Sequence, residues 1–91
     1  MEELEAYSIV KAILREVVDP KRVAQRDKRS YFSVLLDDNN RKPLCRLWFN
    51  SGQKYVGLFD KDKKEERVAI DGLDEIFDLA DRLKATVASY N

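Results

Sequence analysis

Few residues in this chain have the types and spacing to do chemistry. Histidine is absent and Cys45 is the single cysteine. Serine–histidine and cysteine–histidine nucleophile pairs therefore cannot form, and a structural zinc site lacks its ligands. Three glycines are too few for a phosphate-cradling loop. Metal-dependent nucleases combine sheet-borne carboxylates with an acid–spacer–lysine triplet, in which the lysine orients or activates water. Asp19-Pro20-Lys21 and Asp62-Lys63-Lys64 have that form. Seventeen acids and nine lysines in 91 residues give about two such triplets by chance, so the pair carries no signal. Both triplets also fall in predicted turns, where a catalytic constellation is poorly held. Asp37-Asp38-Asn39-Asn40 lacks the alternating ligands and distal glutamate of a calcium loop and reads better as a hairpin turn.

Cationic side chains interleaved with aromatic ones are the stronger feature. The candidates for nucleic-acid contact are Arg26, Lys28, Arg29, Tyr31, Arg41, Lys42, Arg46, Trp48 and Lys54. Bases stack on exposed aromatic faces while lysine and arginine neutralise phosphates. The same residues also suit a bland role, because Lys and Arg protect exposed sheets and edges from association. Trp48 would then complete the core or pack on the stem of Arg46.

The elements that must position these side chains follow from apolar periodicity. Over residues 3–18, Leu4, Tyr7, Val10, Ile13, Leu14 and Val17 follow three-four spacing and predict an amphipathic helix. Asp19-Pro20 ends it. β-Branched and aromatic tracts predict strands near 22–27, 30–37, 42–49, 54–60 and 65–70, with short polar turns between them. Such connections favour antiparallel neighbours. The lone Gly57 inside a strand signals a bulge or a close approach to the backbone. Over 72–90, Leu73, Ile76, Phe77, Ala80, Leu83, Val87 and Tyr90 predict a second helix, with Asp71 as its N-cap. The expected fold is α+β: a five-stranded antiparallel meander with the N- and C-terminal helices packed on one face, in the order α-β-β-β-β-β-α. Alternation in the third strand puts Cys45, Leu47 and Phe49 on one face and Leu44, Arg46 and Trp48 on the other. Arg46 marks that second face as the open one, and Tyr31 and Tyr55 join it if the registers allow.

Length and composition bound the rest. The chain has 91 residues, enough for one domain, with 44% hydrophobic and 37% charged residues and no net charge. No apolar run is long enough for a transmembrane helix. The acidic start Glu2, Glu3, Glu5 is unlike a signal peptide. With a single cysteine, this fits a reducing cytoplasm. The charge is partitioned, however: residues 1–19 and 69–91 each carry −3, whereas residues 20–68 carry +6. The expected sheet is basic and both expected helices are acidic.

The segments Arg26–Phe32, Asn40–Asn50 and Lys54–Asp60, with Glu3–Tyr7 and Leu73–Phe77, carry a resemblance. Together they are similar to the C-terminal region of bacterial and phage proteins described as type I restriction enzyme R-subunit-like, or restriction endonuclease or methylase, proteins. That resemblance implies that residues 1–91 are a single accessory domain at the C-terminal end of a longer protein. It implies that the nuclease-like domain, with its carboxylates and lysine, lies N-terminal to this segment, so no catalytic residue carries over. The expectation is a non-catalytic domain, without metal or cofactor, that binds or positions DNA through its basic sheet surface. The alternative is a protein-interaction or homodimerisation module, meeting the nuclease-like domain or a second copy through Leu44 and Trp48 or a sheet edge. A stand-alone metal nuclease is the poorest of the three readings.

Overall fold

The computed structural model describes residues 2–50 and 52–90. Helix α1 spans Glu2–Leu14, with Glu2, Glu3 and Glu5 in its first turn, where they oppose the helix dipole favourably. It ends four residues before the predicted boundary, in a turn closed by Val17 N–H and Val18 N–H on the Leu14 carbonyl. Its buried side is Ala6, Val10, Ile13 and Leu14, whereas Leu4 and Val17 are more than 40% exposed. The predicted stripe was too wide. Leu4 lies about 120° round the helix from Val10, and Val17 falls beyond the last helical residue. Asp19 then accepts a hydrogen bond from Lys21 N–H, capping a short 3-10 turn over Pro20–Arg22.

Five strands follow: β1 (Val23–Asp27), β2 (Phe32–Leu36), β3 (Pro43–Trp48), β4 (Lys54–Phe59) and β5 (Glu65–Ile70). They form one antiparallel sheet in the order β1-β2-β3-β4-β5, the expected meander. The β2–β3 turn uses the left-handed backbone anticipated for its Asp-Asp-Asn-Asn run: Asp37 and Asp38 have φ of 57° and 54°. Their carboxylates reach back to β1 and its approach, where each accepts from Nε and Nη2 of one arginine. Arg22 holds Asp37 and Arg26 holds Asp38.

After β5 the chain enters a 3-10 helix over Leu73–Leu79, which passes into helix α2, Ala80–Ser89. The N-cap is Gly72, not Asp71, because the Glu75 carboxylate folds back to accept from both Asp71 N–H (2.6 Å) and Gly72 N–H (2.8 Å). The 3-10 geometry also corrects the predicted stripe. At three residues per turn, Leu73, Ile76 and Leu79 align toward the core and Phe77 rotates out. Ile76 is fully buried and Phe77 is 54% exposed.

Both helices cover the same side of the sheet. The core between the layers gathers Val10, Ile13 and Leu14 from α1, Val34, Cys45, Leu47, Val56 and Leu58 from the strands, and Leu83 and Val87 from α2. Burial of this apolar surface is the main force holding the layers together. Thr86, a buried polar residue of α2, places its hydroxyl 3.0 Å from both the Phe59 and Arg82 carbonyls. One departure from strict alternation matters. The β2–β3 register shifts between Val34 and Leu35, so that Leu44 is an extra residue in β3. Leu44 is fully buried in the core rather than displayed beside Trp48 on the open face.

Candidate functional site

On the side away from the helices, the pairings set Ser33, Arg46, Gly57 and Arg67 in one row across four strands. Trp48 and Tyr55 face each other directly in the next row, so the registers do bring Tyr55 to the open face. Tyr31 leans on Trp48 with ring centres 4.7 Å apart and planes inclined by 44°.

Glu65, at the start of β5, organises this face. Its carboxylate crosses above Gly57, accepts the Trp48 indole N–H at 2.6 Å and meets Arg46 Nη1 at 3.1 Å. Arg67 Nε lies 3.8 Å from the same carboxylate. The crossing requires glycine: a Cβ at position 57 would sit 2.1 Å from Glu65 Oε2. The anticipated close approach at Gly57 is thus made by a side chain, and the strand pairing runs through it without a bulge. Arg46 is further held over the rings of Tyr31 (4.7 Å) and Phe59 (5.2 Å), and its Nε is buried without a hydrogen-bond partner. Arg67 lies over Trp48, its guanidinium carbon 3.7 Å from the ring centre.

The nine candidate residues separate into groups. Arg46, Trp48 and Tyr31 meet on the open face, already engaged with one another and with Glu65. Arg26 is on that face but bound to Asp38. Lys42 lies 3.8 Å from Asp37. Lys54 has the parity of Val56 and Leu58, and reaches Glu2 of α1 at 3.3 Å on the helix side. Lys28, Arg29 and Arg41 are exposed in the turns, and no carboxylate pairs with them among the described residues. The basic charge of the middle segment is therefore partly answered within the sheet. It does not converge on one continuous patch.

A groove lies on the open face. Arg29, Ser30, Trp48, Asn50, Tyr55 and Arg67 line a recess of about 350 Å³. Asn50 Nδ2 donates to the Arg29 carbonyl and so ties the β1–β2 turn to the end of β3. The lining holds two arginines and two aromatic rings but no carboxylate.

Arg67 and Glu65 were missed in the sequence, although β5 held the signal. Val68 and Ile70 share the core parity, which sends Glu65 and Arg67 to the other face. Among the described residues, no group of three or more His, Cys, Asp or Glu side chains is gathered to hold a metal. No helix among them is long and apolar enough to cross a membrane. The Cys45 thiol is sealed in the core and pushed up to about 12 by burial, which keeps it from acting as a nucleophile at neutral pH. No family model matches the chain, and no curated protein or solved structure is significantly similar to it.

Proposed function

We propose that this chain is a non-catalytic accessory domain of a restriction-endonuclease-like protein, and that it binds DNA through the open face of its sheet. The observation that carries the reading is the groove, where Arg29 and Arg67 flank Trp48 and Tyr55 with no acid in the lining. Arginine contacts phosphate oxygens and aromatic rings accept bases, so such a recess suits a polyanion carrying planar rings. The acidic helices lie on the other side, where they repel phosphate and so orient the domain on its ligand. Phosphate contact falls to Lys28 and Arg29, and to Arg67, which touches Glu65 only at 3.8 Å and keeps about half of its side chain exposed. Arg46, Arg26, Lys42 and Lys54 support the scaffold through their internal partners.

The test is titration of labelled DNA at low salt. Binding that weakens as salt rises, and is lost in an Arg29→Glu/Arg67→Glu variant, is the expected result. No binding, or undiminished binding by that variant, overturns the proposal.

The alternative is a protein-interaction module. It draws on the helical side rather than on Leu44, through exposed Phe77, Leu4 and Val17. Sedimentation separates the two readings: self-association abolished by Phe77→Ser favours the module, and a monomer at high concentration removes the homodimer.

A further inference from the structure

Duplex and single-stranded DNA offer different chemistry to the same groove. A duplex presents phosphates outward and keeps its bases stacked, whereas an unpaired strand can place a base against an aromatic or guanidinium plane. Trp48 and Tyr55 both line the recess and are half-buried. Arg67 is stacked on Trp48 at 3.7 Å, yet about half of its side chain is exposed, so its plane is reachable from the groove. Glu65 and Gly57 fix this arrangement from below. The indole N–H is bound to the carboxylate, and the ring is leaned on by Tyr31, so the platform is set before any ligand arrives. Arg29 stands at the rim on a turn fastened by Asn50, with no carboxylate partner among the described residues.

We infer that the groove receives one unpaired base, stacked on the Arg67–Trp48 pair beside Tyr55, while Arg29 holds a neighbouring phosphate. The domain therefore prefers single-stranded to duplex DNA. This deepens the reading above and rests on it.

Trp48 is the sole tryptophan, so its emission reports directly on the groove. The experiment titrates the intact chain with oligothymidylate and with a duplex of equal length at low salt, following Trp48 fluorescence and the anisotropy of labelled DNA. The inference expects tighter single-strand binding with a change in Trp48 emission. It also expects Tyr55→Ala and Arg67→Lys each to lose about tenfold in single-strand affinity, with duplex affinity little changed. Arg67→Lys keeps the charge and removes the plane, so a purely electrostatic site would not register it. Equal affinity for both forms with unchanged emission overturns this inference and leaves phosphate contact intact. Binding to neither form overturns the parent proposal together with it.

Discussion

Trp48 and Glu65, on strands separated by β4, are joined by a 2.6 Å hydrogen bond that passes over Gly57. The carboxylate satisfies the indole N–H and counters Arg46, so two costly groups on a half-buried face are paired at once. The absent side chain at position 57 makes this possible.

Gly57→Ala should therefore act through Glu65. The added methyl expels the carboxylate, leaving Trp48 Nε1 and Arg46 short of their partner. Denaturant unfolding should show a loss of about 1–3 kcal/mol, accompanied by altered Trp48 emission. In a Glu65→Ala background the same change should cost much less. Equal costs in both backgrounds would contradict the assigned contact.

The turn aspartates predict an acid limit. Hydrogen bonds from Arg22 and Arg26 hold the Asp37 and Asp38 carboxyls below the usual carboxylate range. Backbone N–H groups of the β4–β5 turn, first that of Lys64, do the same for Asp60. A carboxyl with a depressed folded pKa stabilises fully above its ordinary value and loses that contribution as pH falls through the depressed one. Thermal stability should thus be flat near neutrality and decline from roughly pH 4 downward. Asp37→Asn/Asp38→Asn should lower stability at pH 7 and flatten the decline. The pairs are exposed, so the effect should shrink in high salt.

Cys45 should be chemically silent in the folded protein. A thiol pushed up to about 12 and fully enclosed offers no thiolate to a disulfide reagent at pH 8. Labelling should appear only in denaturant, with a stoichiometry of one. Prompt labelling of the native chain would mean that the layers open readily over β3.

The 3-10 segment makes a paired prediction. Ile76→Ala should cost about 2–5 kcal/mol, as expected for a sealed aliphatic side chain. Phe77→Ala, at a larger residue one position later, should stay within about 0.5 kcal/mol in denaturant unfolding. Comparable losses would restore the continuous α-helical stripe.

That pair shows what the sequence discloses and what it conceals. Strand tracts and turn residues located all five strands and favoured a meander, because alternation and short polar connections are local properties, while the pairing order itself is set by the fold. Helix type was not local in this sense. Leu73, Ile76 and Phe77 suit an α-helical face, and Glu75 folding onto Gly72 N–H begins a tighter turn that turns Phe77 outward. Leu44 was misplaced because a register shift cannot be read from one strand alone. On the open face, Arg46 correctly marked the exposed side and carried Trp48 with it. The role of Glu65 was hidden, since it meets Trp48 and Arg46 of β3 and Arg67 of its own strand by crossing Gly57 of β4. Lys54 shares the parity of the buried Val56 and Leu58, which sends it to the helix side, where it meets Glu2.

The central claim is that Arg29 and Arg67 present the open face to phosphate, and the salt dependence of DNA binding tests it most directly. Affinity for a duplex should fall log-linearly with salt, and removing either arginine should reduce the slope by about 0.9. Lys54→Ala, on the helix side, should leave the slope unchanged. A slope insensitive to Arg29 and Arg67, or no binding at low salt, would contradict the account.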